Sequence, residues 1–490
     1  MESNEPTQPS GASPPSAAPT PPAPRLPRKG EEVEVVVRSL GERGHALAEI
    51  GGRTLRLKGA APGDRVRARV LRRGRRGLEA KLLERLEAGA HAADPRCPHA
   101  GTCGGCSFQA VAYAAQLEAK GRWIEEALAG SGLADKPAVA AVLGMDDPWR
   151  YRNKMDFSFA SRRWVEESEP EGVDASFALG LHVPGRWDKV LDVYACRIAI
   201  PEAETLVNTI RRLACEQGLE PWDVHAAAGL LRHLVVRKGF RTGEILVDLV
   251  TDALAPERIE PLVAGLLEAH PEVTTVVQGV SSRAAKVALH EQERVHHGSG
   301  VIREELAGRT FEISATSFFQ TNTEQAERLV GVIAEEAGLR DGERLLDLYC
   351  GAGTLGLCLA GSSAHELLGF EVIEPAVLDA RRNASANGVT NARFEVGDVR
   401  DVLVAQAHGE LPRPDVVVVD PPRAGLHPDV PPALAALGAR RVVYVSCNPR
   451  NAVGDLLRLE ELGWRTVAAH PVDLFPHTPH AECVFALEPR

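Results

Sequence analysis

The sequence predicts an α/β chain of three folded parts: an N-terminal β-barrel, a central α+β region and a C-terminal, Rossmann-like doubly wound parallel sheet. From Glu336 onward, strand-like runs (ERLLDLY, ELLGFEV, ARFEVGD, PDVVVVD, RRVVYVS) alternate with turns and, for the most part, Ala/Leu-rich helical segments, the pattern of βαβ units. From Glu31, short alternating runs (EVEVVVRSL, HALAEIGG, RTLRLKG, DRVRARVLRR) are separated by Gly and Pro turn signals, which suits a small barrel. The 490 residues and 44% hydrophobic content leave material for a core in each part, at roughly 150 residues per domain.

In chain order, residues 1–30 are rich in Pro, Ala and Ser and lack the residues that build a core, so a disordered leader is expected. The barrel is expected over 31–88. Within it, Arg53 to Arg76 holds ten basic residues against one acid, Asp64. Such a patch suits a phosphate backbone, although a solvated strand face gives the same count. The chain as a whole is acidic, with 56 Lys and Arg against 67 Asp and Glu for a net charge of −11, which excludes a generic nucleic-acid-coating protein. The stretch GLEAKLLERLEAG predicts a charged helix before a boundary near Gly89 to Pro98. Residues 89–335 mix helical segments (AYAAQLEAKGRWIEEALAG) with strands (EILVDLV, TTVVQGV), and residues 336–490 form the parallel sheet. No run approaches the roughly 18 apolar residues of a membrane span, and MESNEPTQPS has no secretion-signal pattern, so a cytoplasmic chain without membrane contact is expected.

Nine cysteines are too few for a disulfide scaffold and odd in number, so a cluster among them points to metal or catalysis. Cys97, Cys103 and Cys106 stand in CPHAGTCGGC, whose Gly-Gly turn lets the chain wrap a bulky object. Three thiolates call for a fourth ligand, and Cys196 in VYACRIAI is the nearest downstream. An iron–sulfur cluster accepts such a distant fourth cysteine. Structural zinc is the rival, with His99 available to it, but zinc typically takes paired knuckles and the second is missing. The C-x3-C-x2-C triad of radical S-adenosylmethionine enzymes is also missing, which favours a closed, structural cluster.

The strand ERLLDLY leads into Cys350-Gly351-Ala352-Gly353-Thr354-Leu355-Gly356, where glycines let the backbone approach a ligand before a helix begins. The same GxGxxG pattern serves dinucleotides. Asp347 discriminates between them, because an anion beside a pyrophosphate is unwelcome, whereas the sulfonium and ammonium of S-adenosylmethionine tolerate it. Glu371 ends the second strand, where a carboxylate accepts both ribose hydroxyls, and Asp398 ends the third, within reach of an adenine amino group.

The fourth strand ends in Asp420-Pro421-Pro422-Arg423-Ala424-Gly425 and the fifth in Ser446-Cys447-Asn448-Pro449. Cys447, in a turn after a buried strand, is placed as an accessible nucleophile. The segment PHTPHAEC before the last strand returns polar residues to the same edge. A cysteine, two carboxylates and a methyl donor suit methylation of a pyrimidine at carbon 5. There, a thiolate adds to carbon 6, the resulting enolate takes the methyl group, and a base removes the carbon 5 proton. Cys447 is the expected nucleophile and Glu482 the expected base, with His477 and His480 as rivals. Asp420 is expected to hydrogen-bond the imide edge and steady the enolate.

These residues resemble those of the bacterial RNA uracil-5 methyltransferases, which act on tRNA and 23S rRNA. The likeness spans about residues 31–490. It includes a TRAM-like barrel of the OB type, CPxxxxCGGC, YRNK at Tyr151 to Lys154, SFFQTN at Ser317 to Asn322, DLYCGAGT, DPPRAG, SCNP and HTPHAE. The resemblance implies a [4Fe-4S] cluster on Cys97, Cys103, Cys106 and Cys196, Cys447 as nucleophile and Glu482 as base. It implies S-adenosylmethionine contacts from Gln320, Tyr349, Thr354, Glu371, Asp398 and Asp420, around the loop of Gly351 and Gly353. The expected product is 5-methyluridine in RNA, with 23S rRNA first and tRNA second as substrate, made by a monomer. An unpaired uridine is the easier target, since the base must leave its stack. The leader and the acidic stretch WVEESEPEGVDAS stand outside the shared pattern.

Overall fold

The computed structural model describes residues 25–490 apart from 167, 282–287, 289, 361–365 and 408–411. Positions 1–24 of the expected leader lie outside the described residues. Leu26 already packs on the barrel core, and the Gly30 N–H donates to Val70 O at 2.8 Å, so the barrel's contacts begin before residue 31.

Five strands, β1 (Glu32–Gly41), β2 (His45–Ile50), β3 (Arg53–Leu57), β4 (Arg65–Gly74) and β5 (Gly77–Glu87), close a barrel in the order β1-β2-β3-β5-β4. Alternate residues point inward, as in Val35 and Val37 on β1 and Leu55 and Leu57 on β3. The helix expected over GLEAKLLERLEAG is not formed. That segment is β5, antiparallel to β4 and parallel to β3, with Leu78 and Ala80 in the core. Its helix-favouring composition yields because closure pairs backbone edges that would otherwise stay open.

Helix α1 (Tyr113–Ala129) lies between the barrel and the C-terminal part. The central sheet takes β6 (Lys154–Ala160), β7 (Ala178–Val183), β8 (Arg186–Asp192), β9 (Leu231–Lys238), β10 (Ile245–Thr251), β11 (Thr275–Val280) and β12 (Gln292–His297) in the order β12-β11-β10-β9-β6-β7-β8. Only β10 and β11 run parallel among these neighbours. Helices α2 (Pro201–Glu216) and α3 (Pro256–Ala269) bury Leu206, Ile210, Ile259 and Leu262 in one core with Phe157, Leu234 and Val247 of the sheet. The hairpin β13 (Val301–Leu306) and β14 (Arg309–Ser314) and helix α4 (Thr323–Ala337) lead into the last part.

There, β15 (Arg344–Leu348), α5 (Thr354–Leu359), β16 (Glu366–Glu371), α6 (Glu374–Ala386), β17 (Ala392–Val396), α7 (Val399–Ala407), β18 (Val416–Val419), α8 (Val430–Ala436), β19 (Arg441–Ser446), α9 (Pro449–Glu461), β20 (Trp464–Val472) and β21 (Glu482–Pro489) give the sheet β17-β16-β15-β18-β19-β21-β20. Strands β15 to β19 are parallel, and the central β15, β18 and β19 are covered on both faces, which is why β18 reads Val-Val-Val-Val. Strand order reverses at β15, so the crevice above β15 and β18 is where ligands of this architecture bind. Because β21 runs antiparallel, its first residue, Glu482, lies at the carboxyl ends of the parallel strands. No helix among the described residues is long and apolar enough to cross a membrane.

Candidate active site and cysteine cavity

The loop after β15 bends through left-handed backbone at Tyr349 (φ 63°), Gly351 (φ 55°) and Gly353 (φ 77°). A Cβ on Gly353 would lie 2.9 Å from the Phe394 ring, so only glycine fits there. A Cβ on Gly351 would meet nothing within 4 Å, so the loop is open on that side. Beneath it, buried Asp347 accepts the Gly356 N–H at 2.9 Å; burial raises this carboxyl to about 7, and Asp420 and Glu371 push the same way. Leu348 lies opposite Phe370 and Glu371 opposite Val396, which sets Tyr349, Glu371 and Asp398 along one edge. Glu371 accepts N–H groups from Gly351 (3.2 Å) and Ile373 (2.9 Å). Arg400 donates to both oxygens of Asp398 and holds it at about 2. Thr354 opens α5, and the Gln320 carbonyl accepts from Asn153 Nδ2 at 3.0 Å, tying YRNK to SFFQTN. The sequence reading passed over Phe318, Val372 and Ile373, which are exposed beside Gln320 and Glu371. Large apolar side chains adjacent in sequence to predicted cofactor-binding residues were the available signal.

Val419 pairs with both Leu348 and Tyr444, which brings Asp420 to the same edge. Ser446 pairs with Cys483, so Cys447 and Glu482 leave their strands at the adjacent register step. Burial raises Glu482 well above the usual carboxylate range, reinforced by Asp420 and opposed by Arg423, and burial lifts Asp420 to about 7. The Cys447 thiol is raised by burial and by Glu482, while the nearby Arg423 cation works the other way. Arg423 is held in turn: its carbonyl accepts from Asn451 Nδ2 (2.8 Å) and Asn448 Nδ2 (3.4 Å), and its guanidinium faces His480 Nδ1 at 3.3 Å. The sequence reading gave Arg423 no role, because nothing in DPPRAG shows where its side chain turns. Cys447, Arg423, Asn448, His480, Trp123 and the barrel's Glu42 line a cleft of about 240 Å3, with Glu42 paired to Arg450 at 2.5 Å.

The two histidines separate. His477 is buried, its ring 4.0 Å from that of Trp149 and its Nδ1 3.2 Å from Gln116 Nε2, while its backbone N–H donates to Gln116 Oε1 at 2.9 Å; burial holds the ring at about 4. Its carbonyl accepts the N–H groups of Ser107 (2.9 Å) and Phe108 (3.0 Å), so it anchors the segment before Glu482 and does not line the cleft. A fully buried ion pair, Lys120 to Asp473 at 2.6 Å, pins the start of the same segment. His480 lines the cleft, and burial and Arg423 hold it at about 4, so both rings are neutral at pH 7.

Cys97, Cys103, Cys106 and Cys196 line one cavity of about 290 Å3 beside β6 and β7. All four are free thiols; burial raises Cys103 to about 11 and Cys106 to about 12, and the neighbouring cysteines add to both shifts. A Cβ on Gly104 would lie 2.9 Å from His182 O, which explains one glycine of the Gly-Gly turn. Among the described residues, no three ligating side chains are grouped for a single metal ion. His99 Nε2 accepts the Tyr194 N–H at 3.2 Å, committing that nitrogen.

The basic patch of the barrel is weaker than its residue count. Arg65, Arg67, Arg69 and Arg72 pair with Glu87, Glu34, Glu84, Glu32 and Glu79. Those acids lie on β1 and β5, outside the Arg53–Arg76 window. Among the described residues, Lys58, Arg73, Arg75 and Arg76 have no carboxylate partner.

A family model described as tRNA (uracil-5-)-methyltransferase matches residues 272–401, and one described as a methyltransferase domain matches residues 339–476. An uncharacterized RNA methyltransferase of Chlorobaculum tepidum is 38% identical over 469 residues, covering 94% of this chain and 97% of its own. A second, from Nitratidesulfovibrio vulgaris, is 37% identical over 463 residues, covering 94% and 96%. Among solved structures, a tRNA (uracil-54, C5)-methyltransferase of Pyrococcus abyssi, in complex with S-adenosyl-L-homocysteine, matches with a TM-score of 0.72 at 27% identity, over 93% of this chain and all of its own. With the barrel, the parallel sheet and the Cys447 edge in place, the chain belongs to the RNA (uracil-5-)-methyltransferase family and is an RNA methyltransferase.

Proposed function

We propose that the enzyme methylates carbon 5 of an unpaired uridine in RNA by covalent catalysis at Cys447, with 23S rRNA as the first candidate substrate and tRNA as the second. The observation that carries this reading is the antiparallel β21, which sets Glu482 beside Cys447 at an edge shared with Asp420 and Arg423. S-adenosylmethionine, when bound, supplies an electrophilic methyl group on a sulfonium. The acids Asp347, Glu371 and Asp420 suit that cation, and the open side of Gly351 leaves it room. Glu371 is assigned to the ribose hydroxyls, Asp398 to the adenine side, and Gln320, Tyr349 and Thr354 to the rest of the pocket wall.

The Arg423 charge beside Cys447 lowers the thiol and so works against the burial that disfavours a thiolate. The thiolate adds to carbon 6 of uracil, and the electron pair moves to carbon 5 and the carbonyl oxygen. Asp420, near 7 and therefore available in both forms, meets the imide edge and steadies the enolate. After carbon 5 has taken the methyl group, Glu482 removes the proton from the same carbon. Its raised proton affinity fits that step. The double bond re-forms and Cys447 leaves.

The cysteine cavity fits a [4Fe-4S] cluster on Cys97, Cys103, Cys106 and Cys196. Four thiols line one cavity, and such a cluster takes four cysteines of which one stands far away in sequence. A fully ligated cluster there would supply a rigid anchor beneath the RNA-facing surface. In this organisation, a TRAM-like barrel (31–88) and an iron–sulfur domain (89–335) present RNA to the catalytic domain (336–490).

The test supplies anaerobically purified enzyme with methyl-labelled S-adenosylmethionine and, separately, 23S rRNA and tRNA, followed by digestion to nucleosides. Label in 5-methyluridine is expected. Label in another nucleoside, or in neither RNA when donor binding is verified, overturns the reading.

A further inference from the structure

The cleft in front of Cys447 is not walled by the catalytic domain alone. The turn that joins β1 to β2 of the barrel reaches it: the Gly44 N–H donates to Gly41 O at 3.0 Å, and Glu42, between them, lines the cleft together with Cys447. That turn is fixed from several sides. The Leu40 carbonyl before it accepts from Trp123 Nε1 of α1 at 3.2 Å, and Leu40 shares a small core with Phe108 and Trp123. Gly44 has left-handed backbone (φ 75°), and a Cβ on it would lie 2.5 Å from Ser107 Oγ and 3.5 Å from the Pro479 ring, so the turn is pressed against the segment that leads to Glu482. The barrel therefore presents Glu42 to the cleft from a fixed position.

Arg450, three residues after Cys447 and in the first turn of α9, lines the same cleft, with its side chain 63% exposed. Glu42 Oε2 meets its Nε at 2.5 Å, and among the described residues both Nη nitrogens are without a partner. The first turn of α9 carries no acid to compete for them. The two guanidiniums of the cleft thus differ: Arg423 lies beside Cys447 and faces His480 Nδ1, whereas Arg450 is held at one nitrogen and keeps the rest of its fork unspent. An exposed pair such as Glu42 with Arg450 contributes little to stability, so its value lies in where it puts the fork. Two Nη groups match two oxygens of a phosphate. A base whose carbon 6 meets Cys447 leaves its sugar and phosphate toward the mouth of the cleft, and the mouth is where an exposed, half-spent guanidinium stands.

We propose that Arg450 binds the phosphate of the nucleotide whose base enters the cleft, and that Glu42 is the positioning residue that holds it, so that the barrel completes the active site. The proposal rests on the uridine methylation reading, and its test has a readout apart from methyl transfer. The holoenzyme, with S-adenosyl-L-homocysteine in the donor pocket, is treated with iodoacetamide, and alkylation of Cys447 is followed by peptide mass spectrometry in the presence of uridine or of uridine 5′- or 3′-monophosphate. One of the monophosphates should protect Cys447 at about tenfold lower concentration than uridine, the scale of one charge-assisted hydrogen bond. Arg450→Ala should abolish that advantage, and Arg450→Lys should restore part of it, since a point charge then replaces the fork. In turnover, Arg450→Ala should raise KM for 23S rRNA by about tenfold and reduce its salt slope by about one, with KM for S-adenosylmethionine unchanged. Glu42→Ala should raise the same KM in the wild-type background and not in Arg450→Ala. Monophosphates that protect no better than uridine, or an advantage that survives Arg450→Ala, overturn the proposal, whatever the turnover. Additive effects of Glu42→Ala and Arg450→Ala overturn the part given to the barrel. A phosphate advantage that Arg450→Ala removes, in an enzyme that methylates no RNA, keeps this site and overturns the methylation reading instead.

Discussion

Cys447 and the four cysteines of the central cavity are all at least half-buried, and in Cys447, Cys103, Cys106 and Cys196 that burial raises the thiol. They differ in company. Cys447 has the Arg423 cation as a neighbour and an open cleft before it, whereas Cys103 and Cys106 face the other cysteines of the cavity, with Gly105 backbone at Cys103 and Gln109 at Cys106. A thiolate becomes a nucleophile when a fixed cation and access offset desolvation, and a metal ligand when the metal's own charge removes the proton. The two regions are also joined. Ser107 and Phe108, directly after Cys106, donate to the His477 carbonyl, five residues before Glu482. The cavity therefore holds one end of the segment that delivers Glu482, the proposed base.

The largest effects should separate the two kinds of cysteine. Cys447→Ala should cut turnover by about a thousandfold or more while iron content, thermal stability and RNA affinity stay as they are. Cys106→Ser should instead lose iron, lower the Tm and speed proteolysis around His477, because the strap to its carbonyl loosens. Normal iron and Tm in Cys106→Ser would break the contrast. Glu482→Gln sharpens it from the other side. With the carbon 5 proton left in place, the enzyme should accumulate an adduct with RNA that survives denaturing electrophoresis, and adding Cys447→Ala should remove that adduct. A Glu482→Gln enzyme that turns over normally would hand the base role to His480.

A smaller effect follows from protons. Glu482 and Asp420 are raised, so the carboxylate form of the pair grows as pH rises, and turnover should climb from pH 6 through about 7 and beyond. Stability should run the other way. A carboxyl raised in the folded state holds its proton there longer than in the unfolded chain, so its contribution is complete below the unfolded value near 4 and is lost as pH rises through about 7. Asp347 adds to the same window. Thermal unfolding at pH 5.5 and 8.5 checks this, and Asp347→Asn should narrow the difference.

Much of the fold and site was legible in the sequence because local pattern and final position agree there. The runs that became β18 and β19 are buried on both faces and read as nearly continuous apolar strands. The motifs after them lie at their carboxyl ends because the parallel topology leaves no other place. GLEAKLLERLEAG misled because its composition favours helix, while barrel closure, a non-local demand, makes it β5. Arg423 escaped notice because its importance is a matter of side-chain direction. His477 stood level with Glu482 and His480 in sequence, and only burial against Trp149 and Gln116 shows it to be an anchor.

The smallest expected effect concerns the barrel, whose arginines divide as the cysteines do, by their neighbours. Arg67 and Arg69 already face Glu34, Glu84 and Glu32 across the strands. A phosphate would have to displace those carboxylates, and exposed pairs of this kind contribute little either way. Arg73, Arg75 and Arg76, at the β4–β5 turn, have no carboxylate to leave among the described residues. Replacing any one of these three by Ala should therefore lower RNA affinity a few-fold and reduce the slope of log K against log salt by about one, with no change in Tm. Arg67→Ala should leave the slope nearly unchanged. Equal slopes for Arg67→Ala and Arg75→Ala would mean that the carboxylates of β1 and β5 move aside on binding, and that the barrel's pairs are a reserve of charge for RNA.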